Sequence, residues 1–452
     1  MSNTVASAGW WRARGSDARP GRVAVRSRQD RSFRLAFWAL GAFTLIMILA
    51  PQNYFPVLKP LHIALVSGTL ASAAYLMSRF AGTALPVRHS PAMMYAVFLF
   101  LWAVLLVPFS VWPGGSFGEI FDVFIKALII FWLLGRVVNS VQRLSTVAWM
   151  LSLMSIPLSL SAVLAFLQGG MGNVELTHGW ERITGYQAGL TGNPNDLALM
   201  INLTLPLTVG LMLSVRRRVA GVLLALVALL DVIAVVLTYS RGGFITLMVI
   251  VGSYLVCLTG RARIGLVMIV IAIGLVAVPM IPSGYWSRIG TITDIQADRT
   301  DSAQQRWGDM IDATHLIAAH PVIGVGAGMD FLALNAVRGK TWVHVHNIYL
   351  EYAVDLGIPG LLLFLLLYYR VLKSASKARR LAAGRVEHAT FYRLSEGIWI
   401  ALIAFGVSAL FHPVAYEFYF YYFAGLAVAA GAIAENSANQ GIPERLDKAC
   451  VA

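Results

Sequence analysis

Two histidines stand where a polar segment meets a long apolar run. They are His344 and His346, followed by Asn347 and a run that begins at Ile348. A neutral imidazole can take a proton from an attacking hydroxyl group and so act as a general base. Helix capping by His346 and Asn347 is the structural alternative. A third reading is a metal site that adds a carboxylate such as Asp330, although two histidines on a short segment are weak support for one.

Two arginines supply groups that could bind phosphate. Arg241 precedes two glycines in a short connection between apolar runs, and Arg306 lies beside Trp307 in a longer polar segment. A guanidinium presents a planar fork that matches phosphate oxygens. The alternatives are that Arg241 reaches lipid headgroups and that Arg306 lies on a solvated helix face.

Two further segments have both structural and binding interpretations. Asn195 and Asp196 open an apolar run and are typical of a helix start, whose free N–H groups can also bind an anion. His320 begins a glycine-rich stretch that ends at Gly328. That stretch follows a helical pattern rather than a strand, so it is not typical of a nucleotide-binding loop.

Three charged residues fall inside apolar runs, where charges suggest function by default. Asp122 and Lys126 are one helical turn apart and can neutralise each other, and Asp231 stands alone. A paired structural role is the simpler interpretation of the first two.

Composition shows what must position these residues. Of the 452 residues 58% are hydrophobic and only 13% are charged, against roughly 25% charged in soluble domains. The apolar runs are about as long as the ~20 residues that a helix needs to cross a bilayer. This excludes a soluble enzyme, a disordered chain, a coiled coil and a β-barrel. We predict an all-α polytopic membrane protein with about twelve spans: 35–50, 61–78, 91–111, 119–138, 144–167, 196–214, 219–239, 243–259, 264–282, 347–372, 396–412 and 415–434.

The basic residues predict the orientation of these spans. Most of the 35 Lys and Arg residues fall on one side when the spans alternate, and the positive-inside rule places that side in the cytoplasm. The same topology accounts for the net charge of +13 without a nucleic-acid partner. The predicted organisation is a basic cytoplasmic tail (1–34), a membrane domain (35–434) and a cytoplasmic C-terminal tail (435–452).

The outer segment 283–346, before span ten, is predicted to contain a helix. Ser302 and Gln305 have the spacing of a capping box, and Pro321 ends the pattern. Its apolar stripe (Trp307, Met310, Ile311, Thr314, Ile317 and Ala318) favours a helix on the membrane surface or on the tops of the spans. Three basic residues, Arg288, Arg338 and Lys340, form a cationic cluster near the mouth.

The order of these motifs resembles the family of O-antigen ligases and related bacterial polysaccharide polymerases. The matching stretches run from about 190 to 365. They are Gly192-Asn-Pro-Asn-Asp-Leu-Ala198, Ser240-Arg-Gly-Gly243, Arg306-Trp307 with His320-Pro-Val-Ile-Gly-Val-Gly326, and His346-Asn-Ile-Tyr-Leu350 with Asp355-Leu-Gly-Ile-Pro-Gly-Leu361. Each stretch is short, and their order together with the long outer loop gives the resemblance its specificity.

The resemblance implies an inverting, metal-independent glycosyltransferase of the bacterial inner membrane that needs no cofactor and works at the periplasmic face. Its donor would be a glycan on undecaprenyl diphosphate, and its acceptor a glycan or lipid A-core. His346 would be the base, and Arg241 and Arg306 would hold the leaving diphosphate. His344 departs from the simple pattern and leaves two candidates for the base.

Two other classes of protein compete with this interpretation. One is a transporter or flippase for lipid-linked glycan, which would be expected to show repeated halves and broken helices. The other is a non-catalytic envelope assembly protein. The enzyme hypothesis requires Arg241, Arg306 and His346 to converge, whereas the assembly hypothesis does not.

Overall fold

The computed structural model describes residues 20–80, 90–167, 174–177, 180–183, 186, 189–260, 263–265, 267, 302–339, 342–384 and 388–440. Several predicted features lie outside these residues: span 264–282, the start of the outer loop with Arg288, Lys340, and most of the two tails. The prediction of twelve spans is therefore tested only in part.

The described residues are almost entirely helical. The helices are α1 (Pro20–Leu49), α2 (Pro51–Tyr54), α3 (Ile63–Phe80), α4 (Pro91–Leu106), α5 (Pro113–Gly118), α6 (Ile125–Val137), α7 (Val141–Leu167), α8 (Pro194–Met212), α9 (Arg218–Leu237), α10 (Arg241–Cys257), α11 (Ser302–Ala319), α12 (Asp330–Arg338), α13 (Ile348–Ala382), α14 (Ala389–Ser408) and α15 (Phe418–Gln440). Short 3₁₀ turns cover Pro56–Leu61, Val107–Phe109 and Gly189–Thr191, and a π-helical turn covers Glu119–Phe124. The predicted all-α class needs one addition, an antiparallel pair of short strands, β1 (Val174–Thr177) and β2 (Trp180–Ile183).

Within the described residues, eight helical segments are long and apolar enough to cross a membrane. They are Pro56–Phe80, Pro91–Phe109, Val141–Leu167, Pro194–Met212, Arg218–Leu237, Ile348–Ala382, Ala389–Ser408 and Phe418–Ala438. Two shorter apolar helices, Phe33–Leu49 and Arg241–Cys257, coincide with predicted spans one and eight. Hydrophobic length thus identified the membrane character of the fold.

The packed core lies where α8, α14 and α15 meet the neighbouring helices. Along α15 the aromatic side chains Tyr419, Phe420, Tyr421 and Tyr422 are all buried. By contrast, α9 buries few of its residues and exposes large apolar side chains such as Val222 and Leu226. A helix surface of that kind is suited to contact with lipid.

A kink in α13 divides this helix into a short outer part and a long spanning part. Gly357 has a φ of 69° and Pro359 follows it. The indole N–H of Trp102 on α4 donates to the carbonyl of Leu356 at 2.9 Å. This hydrogen bond satisfies a backbone carbonyl at the break in the helix. The outer part of α13 therefore carries the segment after His346 at an angle set by the kink.

The helix α11 begins at Ser302 and ends before Pro321, as the sequence predicted. It packs through Ala313, in a small core with Met329, Leu334 and Val345. Asp309 and Asp312 form ion pairs with Arg338 on α12. Trp307 and Ile311 of the predicted apolar stripe are exposed, and the location of this stripe on the membrane surface stays a prediction.

The three charged residues predicted inside the bundle divide into two cases. Asp122 and Lys126 form the expected pair at 3.9 Å, but their side chains are 80% and 60% exposed, so they lie on the surface of the bundle. Asp231 is fully buried and accepts hydrogen bonds from Ser159 at 2.6 Å and Ser155 at 3.0 Å. Two serine hydroxyls therefore explain Asp231 as a structural group that joins α7 to α9.

Candidate active site

The glycine-rich segment between α11 and α12 is the scaffold of the candidate site. Gly324, Gly326 and Gly328 have φ values of 64°, 109° and 69°, a region that favours glycine. A Cβ atom at Gly324 would lie 2.3 Å from the carbonyl oxygen of Asp355. The N–H of Gly326 donates to that same carbonyl at 2.9 Å. These glycines allow the segment to lie directly against the kink of α13.

Two buried carboxylates continue the scaffold toward the histidines. Asp355 on α13 accepts the N–H groups of Gly328 at 2.7 Å and Asp330 at 3.0 Å. Asp330 in turn accepts from His344 Nδ1 at 2.8 Å and from the N–H of Val345 at 2.6 Å. Hydrogen bonds to a carboxylate are among the stronger ones in proteins. Asp355 on α13 thus holds the backbone of Asp330, and Asp330 in turn holds the segment that carries the two histidines.

His344 lies in an acidic environment. Burial lowers the pKa of this histidine, but its hydrogen bond to Asp330 and the charges of Asp330, Glu119 and Glu417 outweigh that effect and raise it overall. Because Asp330 accepts from Nδ1, the proton of the neutral ring lies on Nδ1 and Nε2 is left for other contacts. The side chain is 47% exposed. His344 is thus an accessible, basic imidazole held by a carboxylate.

His346 lies in the opposite electrostatic environment. Burial, the positive charge of Arg306 and the neighbouring His412 and His344 lower the pKa of His346 from 6.5 to about 3, although a backbone hydrogen bond with His344 opposes them. Its Nδ1 is buried and has no hydrogen-bond partner among the described residues. This imidazole is neutral at ordinary pH, and the field of Arg306 acts directly on it.

Arg241 is positioned by a turn that is tied to α8. Ser240 caps α10, because its Oγ accepts the N–H of Gly243 at 3.2 Å. The same hydroxyl donates to Asn195 Oδ1 at 2.8 Å. A Cβ atom at Gly243 would lie 2.6 Å from the Cβ of Ala198, so glycine allows α10 to approach α8 closely. Arg241 therefore begins a helix whose start is fixed against Asn195.

His412 connects this turn to Arg306. Its Nε2 lies 3.1 Å from the carbonyl oxygen of Asn195, and its Nδ1 lies 2.9 Å from the carbonyl oxygen and 3.2 Å from the hydroxyl of Ser408. Burial and the positive charge of Arg306 lower its pKa, although its backbone hydrogen bonds oppose this. A neutral ring can donate to only one of these two carbonyls. His412 thus contacts Asn195, which holds the Arg241 turn, and it is also close enough to Arg306 to be affected by its charge.

The predicted site residues fall into two groups. Asn195 is hydrogen-bonded to Ser240, next to Arg241, and to His412, and the charge of Arg306 acts on both His412 and His346. Asn347 caps α13, with its Oδ1 accepting the N–H groups of Tyr349 at 3.0 Å and Leu350 at 3.2 Å. This confirms the capping interpretation for Asn347.

Three other predicted residues have structural contacts. His320 has an exposed side chain, and its carbonyl accepts the N–H of Gly324 in the turn after α11. Asn195 and Asp196 lie in the first turn of α8, as the predicted helix start requires, and Asn193 is its cap. Arg338 forms ion pairs with Asp309 and Asp312.

The metal alternative finds no support in the described part of the chain. No group of three or more His, Cys, Asp or Glu side chains there is arranged to hold a metal ion. Asp330 and His344, two members of the proposed set, are hydrogen-bonded to each other instead.

Sequence reasoning missed His412 and Glu417 and gave Asp330 only as a metal ligand. Glu417 follows α14 on the same connection as His412, and burial together with Asp196 and Glu119 raises its pKa to about 7, against the lowering effect of His344. Their position in the sequence could have indicated them, because both residues lie between two apolar runs, at the end of the bundle that carries the other site residues. No motif pointed to them.

Comparison with known proteins gives a family match for part of the chain. Residues 224–365 match the family model described as O-antigen ligase. The matched segment contains Arg241, Arg306 and His346, while Asn195 and His412 lie outside it. None of the curated proteins matches the chain. Residues 224–365 of this membrane-helical chain are therefore similar to the O-antigen ligase family.

Proposed function

We propose that the protein transfers a glycan from undecaprenyl diphosphate to an acceptor hydroxyl at the periplasmic face of the bacterial inner membrane. The observation that carries this proposal is that the positive charge of Arg306 acts on a neutral, half-buried His346 at the end of the bundle where the Arg241 turn is tied to Asn195. A base and two cationic groups at one end of the bundle are what such a displacement requires. The O-antigen ligase family and the membrane-helical fold support a membrane enzyme that processes glycans.

In the proposed reaction the acceptor oxygen attacks C1 of the donor sugar. The acceptor proton passes to His346, the C1–O bond to the diphosphate breaks, and the diphosphate leaves with the bonding electrons. A single displacement of this kind inverts the configuration at C1. Arg241 and Arg306 stabilise the negative charge that grows on the leaving diphosphate. No step in this scheme calls for a metal ion.

The low pKa of His346 gives the donor a second role. An imidazole with a pKa of about 3 is neutral and ready to accept a proton, but it is a weak base. When an anionic diphosphate binds beside Arg306, it offsets the positive charge that lowers this pKa. His346 is therefore a weak base in the absence of the donor and becomes a stronger base when the donor binds. His344, whose pKa is raised, lies among carboxylates on the other side of the same segment.

The test is a transfer assay with purified protein and undecaprenyl-diphosphate-linked repeat units, with and without lipid A-core. His346→Ala should abolish product. His315→Ala is the matched control, because it removes an exposed histidine on α11 that makes no contact with the site. Longer lipid-linked chains without core would identify a polymerase, and product only with core a ligase. Normal product from His346→Ala would remove the base assignment.

A further inference from the structure

A large cavity lies at the end of the bundle opposite the candidate active site. Its volume is about 730 Å³, and its walls come from α1, α3, α4, α6, α13, α15 and the α6–α7 connection. Arg370 and Lys377 on its wall lie roughly 20–30 Å along α13 from the kink at Gly357, at a rise of ~1.5 Å per residue. The cavity is therefore separate from the residues proposed to act on the donor.

The described lining of this cavity is strongly cationic. Arg136, Arg370, Lys373 and Lys377 line it, against the single carboxylate of Glu435. Lys377 pairs with Glu435 at 2.7 Å, so the described wall carries more basic side chains than carboxylates. Like charges gathered in a recess repel one another unless an anion joins them.

Arg370 is held in a defined position within this wall. Its guanidinium carbon lies 5.7 Å from the ring centroid of Tyr95. Its Nε is buried and has no hydrogen-bond partner among the described residues. A buried donor of this kind normally has an acceptor. A phosphate oxygen inside the cavity would supply one.

Part of the remaining wall is apolar. Phe33, Tyr75 and Val428 line the cavity beside the cations, together with serine and asparagine residues. On the same stretch of α3 as Tyr75, Met77 and Phe80 are 68% and 87% exposed. A ligand with an anionic head and hydrocarbon chains matches this change from cationic to apolar surface. The volume also lies in the ~300–1,000 Å³ range of organic-ligand sites, more than an inorganic phosphate would fill.

We propose that this cavity binds the headgroup of an anionic bilayer phospholipid, with Arg370 and Lys373 contacting its phosphate and its chains lying along α3. The basic end of the bundle is the one that the positive-inside rule places in the cytoplasm. The lipid would therefore belong to the inner leaflet, where basic residues attract anionic headgroups. This proposal does not depend on the transferase activity.

The test measures lipid binding by the full-length protein in detergent. Phosphatidylglycerol, phosphatidylcholine and inorganic phosphate are titrated separately, and the thermal unfolding midpoint and the lipid retained in native mass spectrometry are recorded. The wild type should bind phosphatidylglycerol and be stabilised by it, with little effect of the other two. Equal effects of the two lipids would overturn the proposal. Equal effects of phosphate and phosphatidylglycerol would assign the site to a free anion instead.

Variants locate the site. The double variant R370Q/K373Q should weaken phosphatidylglycerol binding roughly tenfold or more, because each basic residue near an anionic headgroup contributes on the order of 1 kcal/mol. R216Q/R217Q removes the same charge from an exposed connection that does not line the cavity and should bind as the wild type does. R370K/K373R keeps the charge and should retain binding. Equal binding by R370Q/K373Q and R216Q/R217Q would overturn the assignment.

Discussion

The base assignment can be tested by removing the charge that acts on it. Arg306 is the second largest cause, after burial, of the low pKa of His346. In Arg306→Gln that charge is absent, so the pKa of His346 should rise from about 3 while burial keeps it below 6.5. The variant should therefore become sensitive to acid in a pH range where the wild type is not.

The expected size follows from the pKa values. A change from 6.5 to about 3 corresponds to roughly 5 kcal/mol of preference for the neutral imidazole. With that pKa, about 99% of His346 is neutral at a pH of about 5, so it causes no loss of kcat/KM between about pH 8 and pH 5. A base with an ordinary histidine pKa of ~6.5 would be only about 3% neutral at pH ~5, a loss of roughly 30-fold. His344, whose pKa is raised, would lose more.

The assay is the pH dependence of kcat/KM for glycan transfer, which reports groups of the free enzyme. Glu417 must be separated from the histidines, because its pKa of about 7 falls within the range measured. The profile is therefore recorded in wild type, in Glu417→Gln and in Arg306→Gln combined with Glu417→Gln. We expect a flat acid side in Glu417→Gln and a new decline toward pH ~5 when Arg306 is also replaced.

One result would refute this reasoning. If Glu417→Gln still loses about 30-fold or more between pH ~8 and pH ~5, the base has an ordinary or raised pKa, and His344 rather than His346 takes the proton. A profile in the double variant identical to that of Glu417→Gln would show that Arg306 does not act on the base.

Four further predictions address the scaffold and the phosphate contacts. Arg241→Lys should lose nearly as much transfer activity as Arg241→Ala if the planar fork matters, and wild-type activity in the Lys variant would show that a point charge suffices. Gly326→Ala should lower the thermal unfolding midpoint, because its φ of 109° and a Cβ position 2.0 Å from Ser110 Oγ leave no room for a methyl group. The expected loss in the free energy of unfolding is on the order of 1–3 kcal/mol or more. An unchanged midpoint would contradict the geometry. Asp330→Asn removes the charge that raises the pKa of His344, so that pKa should fall in a titration followed by NMR of labelled histidine, and an unchanged value would exclude Asp330 as the cause. Ser159→Ala should destabilise the protein by about 1–3 kcal/mol while leaving the pH profile of transfer as in the wild type, since Ser159 contacts Asp231 far from the site.

The sequence predicted the membrane helices well because their signal is local. Hydrophobic length alone identifies a span, and nothing distant in the chain can change it. The start of α11 at Ser302 and the cap at Asn347 are local in the same way, because both depend on residues two or three positions apart. Span 264–282 lies outside the described residues and stays a prediction.

The environment of the site could not be predicted from local patterns. Asp330 reaches His344 because three glycines with positive φ fold the segment 324–328 against the kink of α13. That packing also depends on Asp355, which follows both residues in the chain. A sequence shows that glycines are present, but it does not show which backbone they will approach. The same limit explains why Asp122 and Lys126 were placed inside the bundle, since periodicity gives a helix face and not the neighbour it meets.

The two histidines illustrate how much of the chemistry depends on such contacts. His344 and His346 are two residues apart, yet the pKa of one is raised by carboxylates and the pKa of the other is lowered by burial and a guanidinium. Their order in the sequence does not distinguish them, and the resemblance to O-antigen ligases left both as candidates. The charges of the neighbouring side chains do distinguish the two histidines. Under the proposed function, a leaving diphosphate would lie on the side of Arg306, and we therefore propose that the neutral His346 on that side accepts the acceptor proton as the diphosphate departs. The carboxylates around His344 would repel the same anion, which favours this histidine, with Asp330, as a support for the segment that carries His346.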